Sequence, residues 1–254
     1  MAGLTRARDW TDPWFSSGME VFRTLVPAGA PTRVAFRWER QKEGVITVDP
    51  ADASRFRPVR PVDEGDLLSA EAQTRVALPG NVNLAVVGRL GRFKHAVGGK
   101  ATRDAVLVGA LAWERAAPGT NGRVMARLDG GVAVGKVISQ HFFLLGGAGT
   151  ILGHPFRSQV GDRFWLARLE AGRTLLPPWI SLRAFAAAGA ATLTEDDDLI
   201  EFAYGATGDA GILTAAGLGV GLGWDVVRLD LGRGLDGGKW ELVISVDRRF
   251  WGWL

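Results

Sequence analysis

Residues 141–189 read HFFLLGGAGTILGHPFRSQVGDRFWLARLEAGRTLLPPWISLRAFAAAG, and this stretch decides the fold. A glycine-rich segment with a Gly-His-Pro turn leads into a strand that carries Arg168 and Glu170 on one face and Trp165 and Leu169 on the other. Successive side chains of a strand point to opposite faces, so this strand has one charged and one apolar face. A two-proline turn and a second alternating strand follow. The rest of the chain is predicted to form a sheet that curls around the glycine-rich loop.

The composition favours a large β-sheet protein. Hydrophobic residues make up 47% of the 254 residues, yet no stretch approaches the roughly 20 consecutive apolar residues of a membrane-spanning helix. The 35 glycines are easier to place in turns, bulges and curved sheets than inside helices. Cysteine is absent, which excludes disulfides, cysteine metal sites and a thiol nucleophile. The net charge is only +3 and both signs are interspersed, so no nucleic-acid partner is expected.

About eleven strand-like segments alternate between apolar and polar residues and are separated by turn residues. The clearest turn is Asn121-Gly122, which joins two strands as a hairpin. Residues 95–104 are expected to form a loop. The predicted strands cover residues 16–25, 32–41, 66–78, 83–93, 105–115 and 123–134, two strands flanking Pro177-Pro178, and then residues 211–224, 227–232 and 240–247.

A charged face recurs on strand after strand, but this alternation alone does not tell whether the apolar face meets a protein core or lipid. In a soluble β-sandwich the charged face meets water and the apolar face forms the core, whereas a membrane barrel reverses this arrangement. Tryptophans near strand ends favour the barrel, because such barrels carry aromatic girdles at both membrane interfaces. Core packing of the same tryptophans is the alternative. The tryptophans in question are Trp14, Trp113, Trp165, Trp179, Trp224, Trp240 and Trp251.

Six short motifs, four in or directly after the glycine-rich loop and two elsewhere in the chain, together resemble those of a known family. They are Phe142–Gly147, Thr150–Pro155, Gly161–Arg163, Leu169–Glu170, Phe56–Gly65 and Gly217–Leu235. With these motifs the sequence resembles the bacterial surface antigen family, the outer-membrane assembly and translocation barrels of the BamA/TamA type. The resemblance implies an all-β protein, an antiparallel transmembrane β-barrel in the bacterial outer membrane. It also implies a loop that plugs the lumen, here residues 141–163.

The resemblance spans nearly the whole chain but only part of a family barrel. The family has sixteen strands preceded by periplasmic POTRA repeats, which are missing from this sequence. About six of the predicted strands precede the loop, where the family has eleven, and five follow it. The N-terminal residues also lack the apolar core of a secretion signal. We therefore expect residues 1–254 to form a single, N-terminally truncated barrel domain, a partial barrel of about eleven strands.

Two departures from the family pattern occur as a pair. The arginine of the family's loop tip is replaced by Leu152, and the aspartate of a following strand by Ala187. The resemblance implies that these two residues interact inside the lumen, and loss of only one would leave a buried charge at a cost of about 3–5 kcal/mol. Their joint absence avoids this cost, although it also weakens the case for an insertase. Glu170 remains, and its candidate partners are Arg168, Arg157 and Arg183.

The resemblance assigns candidate functional residues to three groups. The lumen loop comprises Gly146, Gly147, Leu152, Gly153, His154, Arg157, Gly161 and Asp162. The lumen-facing support comprises Arg168, Glu170, Arg183, Phe185 and Gly189. The C-terminal strand resembles the signal that barrel-assembly machinery reads in its clients, in residues Trp240, Leu242, Ile244, Phe250 and Trp251. The last group has a simpler interpretation as the final lipid-facing strand.

Catalytic and metal chemistry finds little support in the sequence. The histidines His95, His141 and His154 lack metal-ligand spacing. The acidic run Asp196–Asp198 is more typical of an exposed loop than of a cation site. No nucleophile elbow or phosphate-binding loop is present. We expect no enzyme activity, no cofactor and no metal.

The function implied by the resemblance is assembly, insertion or translocation of proteins at the outer membrane. The partners would then be outer-membrane lipid, client outer-membrane proteins and components of the assembly machinery. One alternative is a membrane anchor or secretion barrel of a larger protein such as a patatin-like lipase. The other is a soluble β-sandwich that acts as a binding module.

Overall fold

The computed structural model describes residues 14–27, 30–44, 61–117, 119, 121–194 and 211–246. These residues form an antiparallel sheet of eleven strands and a second sheet of two short strands. No helix within these ranges has the length and hydropathy needed to span a membrane. The strands are β1 (Trp14–Leu25), β2 (Thr32–Glu43), β3 (Gly65–Leu78), β4 (Val82–His95), β5 (Ala101–Ala117), β6 (Gly122–Gly135), β7 (Phe143–Leu145), β8 (Gln159–Gly161), β9 (Arg163–Leu176), β10 (Ile180–Thr192), β11 (Leu213–Leu222), β12 (Val227–Gly234) and β13 (Trp240–Val246).

Each strand of the large sheet pairs with the next one along the chain, in the order β1 to β6 and then β9 to β13. The segment between β6 and β9 leaves this sheet and contains the β7–β8 pair together with a single 3-10 turn at Ser139–His141. The prediction of an all-β fold with about eleven antiparallel strands is therefore confirmed. Six strands precede the glycine-rich segment and five follow it.

One face of the large sheet is apolar and exposed along its whole width, and we call it the outer face. Large side chains on it such as Leu90, Leu169 and Leu242 are 66%, 53% and 62% exposed. The register keeps this face continuous, since Leu169 lies opposite Ala126 on one side and Ala186 on the other. An apolar face of this kind is found on strands that meet lipid.

The opposite, inner face is polar, and the glycine-rich segment lies against it. Glu20 accepts hydrogen bonds from Arg37 at 3.0 Å, and Glu170 accepts one from Arg183 at 3.1 Å. Two buried apolar clusters lie between the inner face and the segment, one around Leu145 and Ile151 and the other formed by Leu67, Phe93 and Ile138. The arrangement is inverted relative to a soluble sandwich, whose core would lie beneath the apolar face.

The two ends of the strands differ in the length of their connections. At the short-turn end the connections are residues 26–31, 79–81, 118–121, 177–179 and 223–226. At the long-loop end they are residues 44–64, 96–100, 136–162, 193–212 and 235–239. Outer-membrane barrels have short turns on the periplasmic side and longer loops on the extracellular side.

The expected loop over residues 95–104 is shorter in the structure, where only residues 96–100 connect β4 to β5. Strand β5 begins at Ala101, and Lys94 lies directly opposite it in the ladder. The polar residues Thr102, Arg103 and Asp104 resemble a loop because they interrupt the apolar alternation. They form regular strand because the ladder extends beyond the apolar band into the polar ends of β4 and β5.

Candidate functional site

The segment that leaves the sheet, residues 136–162, is fixed at its base by buried polar side chains. His141 Nδ1 contacts the carboxylate of Asp104 on β5, and the two side chains are only 4% and 2% exposed. Gln140 Nε2 donates to Gln41 Oε1 at 2.9 Å and to the carbonyl oxygen of Asp63 at 2.7 Å. The base of the segment is therefore tied to β2, to β5 and to the residues just before β3.

The middle of the segment packs through apolar side chains and one glutamine. Leu145 and Ile151 belong to a buried cluster that the sheet completes. Gln159 donates to the carbonyl oxygen of Gly211 at 2.8 Å and accepts from the backbone of Ala191 at 2.9 Å. The sheet residues of this cluster are Leu166, Ala191, Leu213 and Ala215, with Phe164 against it.

The glycine pair permits the sharp reversal within the segment. Gly146 and Gly147 have φ of 110° and 84°, in the left-handed region that glycine tolerates best. A Cβ on Gly146 would lie 2.2 Å from the carbonyl oxygen of Pro155, so no side chain fits there. Gly147 N donates to the carbonyl oxygen of His154 at 3.0 Å, which closes the reversal.

The tip of the segment reaches the end of the sheet at β12 and β13. Gly153 N donates to Glu241 Oε2 at 2.8 Å, and the backbone of Lys239 donates to the carbonyl oxygen of Gly153 at 2.7 Å. His154 Nε2 is 2.8 Å from the carbonyl oxygen of Thr214. A Cβ on Gly153 would lie 2.1 Å from the backbone nitrogen of Gly234. The tip is therefore packed directly against the backbone of the sheet.

An apolar contact occupies the place where the resemblance implies an arginine–aspartate pair. Leu152 is buried, and its Cδ2 lies 2.6 Å from the position of a Cβ on Gly232. The ring of Phe185 approaches the same position within 3.3 Å. Leu152 and Ala187 both line one cavity between segment and sheet. Leucine thus seats the tip through van der Waals contact against a glycine, and no charge is buried.

Glu170 lies in a cluster of charges on the inner face. Arg183 bridges it to Asp230, with Nη1 3.1 Å from Glu170 Oε2 and Nε 2.9 Å from Asp230 Oδ1. Arg123 approaches Glu170 at 3.5 Å and Asp225 at 3.6 Å. Asp230 and Arg123 were missed by sequence reasoning, although both lie on the polar face of their strands.

Of the three candidate partners of Glu170, the structure brings only Arg183 to it within the described ranges. Arg168 instead donates to the carbonyl oxygen of Gly149 at 2.9 Å. Arg157 is buried in the segment, with its guanidinium 5.5 Å from the ring centre of Phe156. The partner choice follows from register, because Arg183 lies opposite Gly172 and so reaches Glu170 diagonally across the β9–β10 pair.

A cavity of about 340 Å³ separates the segment from the inner face around this charge cluster. Its walls carry four arginines and two carboxylates among apolar side chains, so its lining is of mixed polarity. Arg168 and Thr150 lie where the segment passes over it. The charged members of the lining are Arg127, Arg168, Arg183, Arg228, Glu170 and Asp230.

The remaining candidate residues lie at the edges of this site. Gly189 and Gly161 each lie close to neighbouring backbone. A Cβ on Gly189 would be 2.6 Å from the carbonyl oxygen of Trp165, and one on Gly161 would be 2.4 Å from the backbone nitrogen of Thr192. Asp162 Oδ2 accepts from the backbone of Thr194 at 3.2 Å. The C-terminal candidates separate into two sets. Trp240, Leu242 and Ile244 are exposed on the outer face of β13, whereas Phe250 and Trp251, like the acidic run Asp196–Asp198, lie outside the described residues.

The fold is similar to that of solved structures of CdiB from two bacteria. CdiB from Acinetobacter baumannii matches with a TM-score of 0.59 and 14% identity over 90% of this chain and 40% of that one. CdiB from Escherichia coli matches with a TM-score of 0.54 and 17% identity over 91% of this chain and 45% of that one. No protein-family model and no curated protein sequence matches.

These similarities show the fold of the chain. They also limit how much of the sequence resemblance to outer-membrane assembly barrels is supported. The chain shares the fold of the two solved structures that it matches, and it spans less than half the length of each. Neither match supports the BamA/TamA type specifically.

Proposed function

We propose that this chain forms part of the barrel wall of an outer-membrane protein translocator, and that residues 141–163 plug its lumen. The observation that carries the proposal is the position of this segment. It lies across the polar inner face and is attached both at its base, through Asp104, and at its tip, through Glu241. The exposed apolar outer face supports a location in lipid.

The charges on the inner face favour passage of a polypeptide through the barrel. The inner face carries both positive and negative side chains, as at Arg127 beside Asp129 and at Arg183 beside Glu170. A mixed-charge surface offers no single strong site at which an extended chain would be retained. The clients are therefore unfolded polypeptides that cross the membrane.

Translocation is favoured here over insertion of other barrels. CdiB, whose two structures match this fold, supports a transporter barrel. The apolar contact of Leu152 with Gly232 replaces the charged pair that the assembly-barrel resemblance implies at the tip. The tip is held by van der Waals contact and a few hydrogen bonds. It can therefore move away from the sheet without leaving a buried charge unpaired.

Displacing the tip tests the plug directly. Gly153→Ala introduces a Cβ 2.1 Å from a backbone atom of the sheet at a residue with φ of 85°, so the tip must leave its seat. In a planar lipid bilayer we expect single-channel conductance to rise several-fold. Gly149→Ala is the matched control, because a Cβ there meets nothing within 4 Å.

The outcome is decided by comparing these two variants. Both are first shown to fold by a shift in gel migration between unheated and boiled samples. An unchanged conductance in folded Gly153→Ala would contradict the plug, and an equal rise in the Gly149→Ala control would show that the loop is disturbed non-specifically.

A further inference from the structure

A cluster of four basic side chains lies on the outer face at the long-loop end. Arg92 on β4 and Arg103 on β5 lie directly opposite each other in the ladder. Lys94 follows Arg92 on the same face, and the backbone of Lys136 donates to the carbonyl oxygen of Arg103 at 3.0 Å. All four residues are exposed. We call these residues, Arg92, Lys94, Arg103 and Lys136, the basic cluster.

The positive charge of the basic cluster is not balanced by acidic side chains in the described part of the chain. Like charges directly opposite each other on neighbouring strands destabilise a sheet. Asp66 lies opposite Lys94 in the ladder, but its carboxylate accepts from Arg40 at 3.0 Å. None of the four basic side chains forms an ion pair with another described residue. The cluster therefore favours binding of an anion from outside the chain.

An apolar groove of about 440 Å³ begins beside the basic cluster on the same face. Leu90 and Ala105 line it, and Leu90 stands two positions before Arg92 while Ala105 stands two positions after Arg103. Small residues form its floor, since Gly88 and Ala72 lie opposite each other in the ladder. The lining residues of the outer face are Val34, Ala70, Ala72, Gly88, Leu90, Ala105, Leu107, Val132 and Val134.

Among the described residues, the opposite end of the same face has no comparable cluster. Its outward basic residues are Arg23, Arg115 and Arg173, on β1, β5 and β9, so no two of them lie on neighbouring strands. Scattered arginines at a membrane interface extend individually to water. Within the part of the chain that the structure describes, the concentrated charge lies at the end whose long connections are typical of the extracellular side.

We propose that the basic cluster and the groove together bind a lipid with phosphomonoester head groups, whose acyl chain fills the groove. A phosphomonoester carries a charge of about −1.5 to −2 at neutral pH, so two such groups match four cations. The paired arginines offer the bidentate geometry that phosphate oxygens accept best. Glycolipids that carry two phosphates have this chemistry. The inference rests on the proposed membrane location but is independent of the plug.

Lipid binding to the folded protein in zwitterionic detergent tests the inference. Native mass spectrometry would compare a bis-phosphorylated, acylated glycolipid with phosphatidylglycerol and with inorganic phosphate. The double variant Arg92→Gln/Arg103→Gln is expected to bind the glycolipid at least ten-fold more weakly. The control Arg23→Gln/Arg115→Gln changes two outer-face arginines at the other end and should bind it as the parent chain does.

The groove is tested separately with two glycines of the outer face. Gly88→Leu fills the groove, since a Cβ there has only Leu107 nearby, at 3.8 Å. Gly109→Leu adds the same bulk outside the groove, where the nearest atom is 4.0 Å away. Glycolipid binding should weaken several-fold in the first variant and stay unchanged in the second.

The other possible results of these binding experiments each contradict a different part of the inference. Equal binding of phosphatidylglycerol and the glycolipid overturns the phosphomonoester assignment. Binding of inorganic phosphate as tight as that of the glycolipid overturns the role of the groove. A protein that folds only without detergent or lipid contradicts the membrane location itself, whereas a protein that inserts into membranes but binds no anionic lipid contradicts this inference alone.

Discussion

The base and the tip of the plug segment are attached to the sheet in different ways. At the base, the side chains of His141, Asp104 and Gln140 form buried polar contacts. At the tip, the backbone of Gly153 forms two hydrogen bonds, one of them with the carboxylate of Glu241, and Leu152 makes an apolar contact with Gly232. Removing one partner of a buried polar pair strongly destabilises the folded protein, whereas loss of a single backbone hydrogen bond costs much less. The base therefore acts as a permanent anchor and the tip as the releasable end.

The largest effect is expected at the base. Asp104→Ala removes the carboxylate that His141 contacts in a site where both side chains are almost fully buried. We expect the free energy of unfolding to fall by about 3 kcal/mol, measured by urea titration of the detergent-folded protein. Asp104→Asn keeps an acceptor of similar size and should lose less. Equal urea midpoints for parent and alanine variant would refute the anchor.

A smaller effect is expected at the tip. Glu241→Gln keeps the size of the side chain but removes the charge that strengthens its 2.8 Å hydrogen bond from Gly153 N. We expect a stability loss of only about 1 kcal/mol, together with more frequent channel openings in planar bilayers. Glu114→Gln, on the polar face of β5 near the short-turn end, is the control and should leave openings unchanged. A larger stability loss than that of Asp104→Ala would reverse the assignment of anchor and release point.

The smallest effect is expected at Arg168, which contacts the segment between its base and its tip. Arg168→Met removes one hydrogen bond, from Nη2 to the carbonyl oxygen of Gly149 at 2.9 Å. Because that bond is exposed, we expect a stability loss of under about 1 kcal/mol and little change in conductance. Proteolysis of the 147–151 reversal is the sensitive measurement. Cleavage that is much faster than in the Glu241→Gln variant would show that Arg168, and not the tip, controls release.

The strands and their faces were predictable because both follow from local alternation. A period of two assigns Leu169 outward and Glu170 inward without knowledge of their neighbours. The number of strands in the large sheet was likewise predicted, and only the polar ends of strands were missed. Asp104 was assigned to a loop, although it is the anchor residue on β5.

The contacts of the plug segment were not predictable, because they join residues far apart in the chain. Gln140 and Gln41 are separated by 99 positions, and neither carries a motif. The joint loss of the arginine–aspartate pair was visible at Leu152 and Ala187. Its replacement by a contact with Gly232 depends on the register of β12, which sequence alone does not give.

The membrane location and the plug both require that the outer face of the sheet meets lipid. The natural chain has no cysteine, so single substitutions Leu169→Cys, Leu242→Cys and Met125→Cys can each carry one fluorophore. In vesicles of brominated lipid we expect strong quenching at positions 169 and 242 on the outer face and little at position 125, which lies opposite Glu170 on the inner face. Strong quenching at position 125 with none at 169 and 242 would contradict the membrane barrel.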